Sequence, residues 1–217
     1  DLGLIAKGGY PINSYNFYTT NGLYQTGENY NVPTNGTRLT GAGDIKYVDV
    51  SGDGILNAND RTLMGNNFPR YEYSTDINVS YQNFDLSLFI YGVAKRDNYI
   101  SGVGVEPFNA GNWIASGFET ILDRWTPNNT GAKYPRLYSG GNGNYIGSDY
   151  WLKNGAFLRV KHITLGYTLA KKWMEKLKLQ QCRFYISTVN PFTISNYEPG
   201  FDPEISNTSG AFYPIMK

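Results

Sequence analysis

The chain has 217 residues, a formal net charge of +1, 16% aromatic residues with 19 Tyr among them, and 25 Gly. A charge this close to zero gives no reason to expect a nucleic-acid partner, and no stretch approaches the ~20 consecutive apolar residues of a membrane-spanning helix. Composition therefore excludes a helical membrane protein. It leaves open a membrane barrel of alternating strands and a secreted carbohydrate-binding sandwich.

The first part of the chain, residues 1–72, is expected to be a mixture of loops and short strands. Ser14 to Tyr24 predicts one or two strands with Asn21-Gly22 as a turn. The polar stretch from Asn29 to Gly43 predicts a loop, and Gly43 to Val50 predicts a short strand.

A candidate calcium loop follows that strand. Oxygen-bearing groups fall at positions one, three, five, nine and twelve of a calcium-loop spacing, and a glycine takes the sharp-turn position. The ligands would be Asp49, Ser51, Asp53, the Ile55 carbonyl, Asn57 and Asp60, with Gly54 at the turn. Asp60 stands where an EF-hand has Glu, and its shorter side chain predicts weak binding. The alternative is a glycine turn stabilised by Asp and Asn side chains, without a metal.

Two alternating runs then predict a hairpin around the turn Gln82-Asn83. Apolar residues occupy every second position before and after that turn: Ile77, Val79, Tyr81, Phe84, Leu86, Leu88 and Ile90. Period-two alternation on both sides of a short turn is a strong hairpin signal. Each run approaches the ~9–11 residues that a tilted membrane strand needs.

A long, weakly patterned segment spans residues 92–149 and is expected to be an external loop. Asn112 to Arg124 has helical spacing and predicts a short helix. Aromatic residues in or beside the segment are candidate contacts to a substrate or partner: Trp113, Trp125, Tyr134, Tyr138, Tyr145, Tyr150 and Trp151. The alternatives are packing inside the loop and a girdle at the membrane interface.

The clearest strand runs from Phe157 to Leu169. Its second half alternates, with Ile163 and Leu165 on one face and Thr164 and Gly166 on the other. The apolar phase shifts from even positions before His162 to odd positions after it, which predicts a β-bulge there. His162 is the only histidine and lacks evident catalytic companions, so it is a poor catalytic candidate.

The last predicted elements are one or two helical turns over Ala170–Leu177, a strand over Arg183–Val189, and a loop over 190–212. Trp173 is expected to be an interface anchor on the periplasmic side. The short connections then fall at one end of the sheet and the long segments at the other. This is the arrangement of an outer-membrane barrel, with short periplasmic turns and long external loops.

Several motifs together resemble the SusC/RagA-type TonB-linked outer-membrane proteins. Tyr150-Trp-Leu-Lys-Asn-Gly-Ala-Phe-Leu-Arg-Val-Lys-His-Ile-Thr-Leu-Gly-Tyr-Thr-Leu169 is similar to the family stretch YLKDGSFLRLKNLTLGYTLP. Further matches, in the family's order, are Asp49-Val-Ser-Gly-Asp-Gly-Ile55, Phe84-Asp-Leu-Ser87, Arg124-Trp-Thr-Pro127, Val189-Asn-Pro-Phe-Thr-Ile-Ser-Asn-Tyr197 and Gly200-Phe-Asp-Pro-Glu204. The matches run from about Gly9 to Pro214.

This resemblance implies an all-β fold, namely antiparallel strands from the C-terminal part of a transmembrane β-barrel that has 22 strands in the family. Residues 73–217 would supply barrel strands with external loops 92–149 and 190–212, while the plug domain and the final strand are expected to be absent. The implied function is import of glycans or oligopeptides across the bacterial outer membrane. The implied partners are a SusD-like surface lipoprotein, TonB through the missing N-terminal part, the substrate and the lipid bilayer.

No enzyme activity is expected, because carboxylates such as Glu119 and Asp123 are scattered in loops and resemble solvated groups more than a glycosidase pair. No cofactor other than calcium is expected. The rival hypotheses are a secreted carbohydrate-binding β-sandwich, which needs no detergent, and a calcium-dependent surface adhesin, which should unfold when calcium is chelated.

Overall fold

The computed structural model describes residues 4–30, 40–102, 106–107, 119–137 and 143–205. The chain forms two compact units. The strand unit contains Pro69–Arg96 and Gly155–Asn196, and the loop unit contains Asp1–Phe68, Asp97–Asn154 and Tyr197–Lys217.

The described elements are mainly short and long β-strands with one α-helix. In chain order they are β1 (Leu4–Ile5), β2 (Ser14–Tyr18), β3 (Thr20–Leu23), β4 (Ile45–Tyr47), β5 (Arg61–Met64), β6 (Glu72–Tyr81), β7 (Phe84–Val93), β8 (Asp97–Tyr99), β9 (Leu152–Asn154), β10 (Phe157–Thr168), α1 (Lys171–Leu177) and β11 (Arg183–Ser195). Short 3-10 helices cover Ala58–Asp60, Glu119–Asp123, Gly143–Tyr145 and Asp149–Trp151. Within the described ranges, no helix has the length and apolar character needed to cross a membrane.

The strand unit is one antiparallel sheet with the order β11-β10-β7-β6. Its strands have 12 residues in β10, 13 in β11 and 10 in each of the other two. The hairpin predicted around Gln82-Asn83 is present, because Tyr81 pairs with Phe84 and Gln82 adopts a positive φ of 54°. Among the described residues β6 and β11 each have one unpaired edge, so the sheet is open.

The bulge predicted at His162 is also present. Leu165 pairs with Leu86 and Ile163 with Leu88, whereas Val160 pairs with Ile90 and His162 with Phe89. Lys161 is therefore an extra residue on β10. Because of it, Val160 and Ile163 lie on the same face of the sheet although their numbers differ by three. This explains why the apolar positions change from even to odd numbers along a single strand.

The last strand is longer than predicted. The sequence suggested that β11 ends at Val189 and that a loop begins at residue 190, but pairing continues to Ser195 opposite Phe157. Asn190 has a positive φ of 52°, and Asn190 and Pro191 lie opposite Lys161 as a second irregularity. Proline and a left-handed residue usually mark a strand end, but here they match the bulge on the neighbouring strand.

Both short connections lie at one end of this sheet. The start of β7 and the end of β10 are adjacent, and the Thr168 N–H donates to the Asn83 carbonyl at 2.8 Å. The connection that contains α1 leaves from the same end, since Thr168 pairs with Arg183. The chain leaves for its longer segments from the opposite end, after Val93 and Ser195. The sorting of short and long connections predicted from the sequence is thus present in the sheet.

The loop unit contains three small sheets, with the orders β1-β2-β5, β3-β4 and β8-β9. Its main core cluster consists of Tyr18, Ile45, Tyr47, Leu56 and Trp151. The turn predicted at Asn21-Gly22 is wrong, because both residues lie inside β3. Gly22 has a positive φ of 74°, and the pairing with β4 shifts register between Thr20 and Leu23. The left-handed glycine therefore makes an irregularity within a strand, which has the same sequence signature as a turn.

The helix predicted over Asn112–Arg124 lies partly outside the described residues. The part that is described forms a 3-10 helix over Glu119–Asp123. The expected loop over Asn29–Gly43 is likewise described only at its two ends.

Candidate functional site

The strand unit exposes an apolar face. Residues that share this face by alternation and register are Tyr73, Ile77, Val79, Tyr81, Phe84, Leu86, Leu88, Ile90, Leu158, Val160, Ile163, Leu165, Tyr167, Phe184, Ile186, Phe192 and Ile194. Ile77 is 39% exposed, Leu86 37% and Leu165 46%. A soluble sandwich would bury these side chains beneath a second sheet. A contiguous apolar surface of this kind marks a contact with lipid or a partner.

The opposite face is mostly polar. Asn78, Ser87, Thr164 and Ser187 lie in one cross-strand row, and Ser80, Asp85, Gly166 and Tyr185 lie in the next. His162 also lies on this face, and its Nε2 is 3.0 Å from the Thr164 hydroxyl. One apolar face and one polar face along strands of 10–13 residues is the pattern of a barrel wall with a wet interior.

An ion pair crosses the polar face above Gly166. Arg183 on β11 donates from Nε to Asp85 Oδ1 at 3.0 Å and from Nη2 to Oδ2 at 2.5 Å. Asp85 lies on β7, so the pair reaches over the intervening strand β10. A Cβ on Gly166 would lie 2.5 Å from Arg183 Nη2 and from both Asp85 oxygens. The ion pair therefore requires glycine at this position.

Two of the predicted aromatic contacts are buried. Trp151 is 2% exposed and Trp125 is 7% exposed. Trp151 Nε1 donates to the Asn144 carbonyl at 2.6 Å, and Trp125 Nε1 donates to Gln25 Oε1 at 3.2 Å. This corrects the expectation that these two rings contact a substrate or partner, and it favours the alternative of packing inside the loop. The sequence could not separate these cases, because a buried and an exposed tryptophan look alike without their neighbours.

The remaining predicted aromatic contacts are partly buried or lie outside the described residues. Tyr145 stacks on Trp151 with ring centroids 5.6 Å apart, and Tyr150 meets Trp151 edge-on at 5.1 Å. Tyr134 donates its hydroxyl proton to Glu198. Trp113 and Tyr138 are outside the described ranges, so their roles stay predictions. Trp173 on α1 is exposed, as an interface anchor would be.

A cluster of charged residues in the loop unit was not predicted from the sequence. Glu198 is almost completely buried, and its carboxylate accepts from Lys133 Nζ at 3.1 and 3.2 Å. Lys153 Nζ lies 3.9 Å from the same carboxylate and donates to the Tyr150 carbonyl at 2.8 Å. The members lie far apart in the chain and form no motif, so spacing gave no signal.

Burial affects the titration of this cluster. It is the main reason that the pKa values of Tyr134 and Tyr150 are raised, with the Glu198 charge acting in the same direction. Burial also lowers the pKa of Lys153, although the Glu198 charge opposes that effect. At neutral pH the tyrosines are therefore neutral hydrogen-bond donors.

In the candidate calcium loop, the carboxylates accept hydrogen bonds from the loop itself. Asp49 accepts from the N–H groups of Gly52 and Gly54, both at 2.7 Å. Asp60 accepts from the N–H of Asn57 at 2.7 Å and of Ser51 at 3.0 Å, which lowers its pKa to about 2. Asn57 caps the 3-10 helix Ala58–Asp60.

These contacts describe a turn held by Asp and Asn side chains. In the part of the chain that the structure describes, no group of three or more His, Cys, Asp or Glu side chains is arranged to hold a metal ion. Calcium binding stays a prediction for all six ligands named above: Asp49, Ser51, Asp53, Ile55, Asn57 and Asp60.

The known proteins to which this chain is similar agree with one another. No protein-family model matches the chain. It is 30% identical over 208 residues to TonB-dependent receptor P3 of Formosa agariphila, an alignment that covers 92% of this chain and 19% of that protein. It is 31% identical over 162 residues to TonB-dependent receptor SusC of Bacteroides thetaiotaomicron, covering 74% of this chain and 15% of that protein.

The fold is similar to that of a solved structure, the RagAB peptide transporter. The TM-score is 0.70 at 20% sequence identity, and the match covers 97% of this chain and 22% of that chain. The same transporter in its open-open state gives a TM-score of 0.67. The chain thus spans about a fifth of the length of TonB-dependent receptor P3 and of the RagAB chain.

Proposed function

This chain belongs to the SusC/RagA-type TonB-dependent receptors, and we propose that it supplies barrel wall and outer loops to a transporter that imports glycans or oligopeptides across the bacterial outer membrane. The strand unit would be the wall, with its apolar face toward lipid and its polar face toward the lumen. The loop unit would lie on the external side, where it shapes the substrate cavity. In this proposal the chain binds and guides substrate and catalyses no reaction.

The observation that carries the proposal is the exposure of the apolar face. Leu86 and Leu165 pair directly across two central strands, and both are more than one third exposed. Leaving such residues in water is unfavourable by about 25 cal/mol for each Å² of apolar surface, whereas lipid contact removes that cost. The same exposure argues against the secreted sandwich, whose inner face would be covered.

The proposed partners follow from the family. A SusD-like surface lipoprotein would cover the external loops. TonB would supply energy through a part of the receptor outside this chain. RagAB is a peptide transporter, which makes peptides one candidate cargo of this chain. The resemblance to SusC-type proteins makes glycans the second candidate cargo.

The proposal is tested in the bacterium that carries the whole receptor. Deletion of the receptor should abolish uptake of a fluorescently labelled glycan or peptide pool, and a protonophore should abolish the same uptake in the parent strain. Fractionation should recover the receptor with the outer membrane. Unchanged uptake in the deletion strain, or recovery of the receptor in the soluble fraction, contradicts the proposal.

Calcium binding by the loop from Asp49 to Asp60 is a secondary proposal. The supporting feature is the spacing of oxygen-bearing side chains, and the hydrogen bonds within the loop give a metal-free alternative. Chelation with EDTA should then increase protease cleavage within this loop and leave the unfolding temperature of the receptor unchanged. Cleavage that does not respond to EDTA contradicts calcium binding.

A further inference from the structure

An open cavity of about 400 Å³ lies in the loop unit, a size in the range of small-ligand pockets. The residues that line it come from β3, from a turn over residues 130–133 and from the region of β9: Gly22, Leu23, Gln25, Thr130, Gly131, Ala132, Lys133, Tyr150 and Lys153. A Cβ on Gly22 or on Gly131 would have no neighbour within 4 Å, so the space beside both glycines is open.

The charged side chains of the lining are both cationic. Lys133 and Lys153 approach Glu198, which holds both ammonium groups near one another. Asp123, the next carboxylate along this turn, accepts from the Lys133 N–H and from the Asn129 side chain. Two lysines of the lining therefore share one buried carboxylate that lies outside the lining.

These ammonium groups retain donor capacity. Each lysine has three N–H donors and no acceptor. Lys153 donates to the Tyr150 carbonyl, and Lys133 donates to the Glu198 carboxylate. Glu198 lies 3.1 Å from Lys133 Nζ and 3.9 Å from Lys153 Nζ, so one carboxylate is shared by two ammonium groups and one positive charge is left without a partner charge in this cluster. An anion in the cavity would accept from the remaining donors and restore that charge balance.

Four main-chain carbonyls of the wall already accept hydrogen bonds from side chains. The carbonyls of Leu23 and Thr130 accept from Gln25 Nε2 at 3.2 and 3.3 Å. The Lys133 carbonyl accepts from the Tyr150 hydroxyl, and the Tyr150 carbonyl accepts from Lys153. A peptide is usually recognised through main-chain hydrogen bonds, and each of these four carbonyls already has one of its two acceptor positions in use. A ring with apolar C–H groups and one anionic substituent fits the small side chains, Tyr150 and the two cations better.

We propose that this cavity binds an anionic sugar of the transported substrate, with Lys133 and Lys153 contacting its carboxylate or sulfate group. The inference rests on the proposed transport function and specifies the substrate class. Both anions are candidates, because lysine is a point charge that does not select a planar carboxylate over a tetrahedral sulfate.

The test measures binding to the purified whole receptor by saturation-transfer NMR. The probes are sodium glucuronate, glucose 6-sulfate and neutral glucose, which share the same ring, and an acetylated alanine dipeptide with a free C-terminal carboxylate. At least one anionic sugar should bind, and glucose should bind about tenfold more weakly or not at all. The two anionic arms identify the source of the negative charge.

The variants test the two lysines and the cavity. Lys133→Gln and Lys153→Gln should each weaken the anionic sugar by about tenfold, whereas Lys176→Gln on α1 is the matched control and should leave binding unchanged. Gly131→Asp would place a carboxylate in the open space, and Gly131→Asn would place a neutral group of the same size there. The aspartate variant should abolish binding more completely than the asparagine variant.

Each contrary outcome is informative. Binding of glucose as tight as that of both anionic sugars, preference for the dipeptide, or insensitivity to both lysine variants overturns the anionic-sugar site. Those results leave the proposed function intact if the receptor still mediates protonophore-sensitive uptake. If uptake does not require the receptor, the transport proposal itself is wrong, whatever the cavity binds.

Discussion

Gly166 allows two charged side chains to meet across a strand. Strands two apart in a sheet are separated by about 9.5 Å, so Asp85 and Arg183 must both reach over β10 to form their paired hydrogen bonds. Any Cβ at residue 166 would occupy the place where they meet. The pair is about one third exposed, and exposed pairs of this kind contribute little to stability. It links the two neighbours of β10 on the polar face, while the backbone pairing of the strands sets their register.

Replacing this glycine should destabilise the sheet. Gly166→Ala is expected to lower the free energy of unfolding by less than about 1 kcal/mol, because the new methyl group displaces the flexible ends of two partly exposed side chains and breaks their ion pair. Denaturant unfolding of the whole receptor in detergent measures the change. Gly143→Ala is the matched control, since a Cβ there has no neighbour within 4 Å.

The cause of that cost can be isolated with a double-mutant cycle. In an Asp85→Ala background the carboxylate is absent, so Gly166→Ala should lower the free energy of unfolding clearly less than it does in the wild type. Equal costs in both backgrounds would show that the glycine serves another purpose.

Asp60 gives a pH-dependent prediction at the same scale. The N–H of Asn57, and after it the N–H of Ser51, lower its pKa to about 2 from an ordinary value near 3.9. Because the folded pKa is the lower one, the stabilisation is present above about pH 4 and is lost as pH falls toward about 2. Amide exchange in residues 49–60 should accelerate across that window.

Hydrogen–deuterium exchange, corrected for the intrinsic pH dependence, measures this change. Asp60→Asn should give fast exchange in the loop at every pH and remove the acid transition. Asp53→Asn serves as the control, because Asp53 is exposed and accepts from Ile55 and Asn57 within the loop tip. A transition that persists in Asp60→Asn contradicts the assignment to this carboxylate.

At the scale of single elements, alternation makes each strand present two different faces. Leu165 pairs with Leu86 and Ile186 on the apolar face, and the adjacent Thr164 pairs with Ser87 and Ser187 on the polar face. The extra residue Lys161 preserves this separation over the length of β10. A one-residue insertion thus keeps the apolar surface continuous along the proposed lipid boundary.

Lysine substitutions at neighbouring positions test the two faces. Leu165→Lys should lower the free energy of unfolding by about 2–4 kcal/mol if the residue lies near the bilayer midplane. Thr164→Lys should lower the free energy of unfolding much less, because its ammonium group would reach the water-filled interior of the barrel. The measurement is denaturant unfolding of the receptor in lipid vesicles. Leu86→Lys and Ser87→Lys repeat the comparison on β7, and equal penalties on both faces would reject the assignment.

The sequence predicted those elements whose signal is local. The hairpin at Gln82-Asn83 and the bulge at His162 could both be inferred. Each interrupts the alternation of apolar and polar residues, and that interruption is visible within one segment of sequence. β11 was predicted six residues too short, since Asn190 and Pro191 end most strands and only the irregularity on β10 accommodates them. Asn21-Gly22 was misassigned for a similar reason, because a left-handed glycine serves turns and strand irregularities alike.

The candidate sites show the same limit. The polar spacing of the loop from Asp49 to Asp60 is local and was recognised, although its carboxylates accept from the loop backbone in this structure. The burial of Trp125 and Trp151, and the convergence of Lys133 and Lys153 on Glu198, depend on residues distant in sequence. Pairing of that kind is set by tertiary contacts, which the spacing of residues along one sequence does not reveal.

At the scale of the whole molecule, the ends of the sheet give the direction in which the receptor would cross the membrane. The Gln82-Asn83 turn and α1 leave from one end, and the long segments leave from the other. Short turns face the periplasm in outer-membrane barrels, and long loops face outward. The exposed Trp173 on α1 and its lysine neighbours suit the periplasmic interface, where tryptophan and lysine side chains settle.

Labelling of intact cells with a membrane-impermeant maleimide tests this direction. In a Cys182→Ser background, Asn128→Cys should react in intact cells, because residue 128 is exposed in the long segment. Glu175→Cys on α1 is also exposed, yet it should react only after the outer membrane is permeabilised. The two positions are matched in accessibility to water, so a difference between them reports the side of the membrane. Labelling of both in intact cells would contradict the assignment, since a chain whose apolar face contacts lipid must separate the two ends of its sheet.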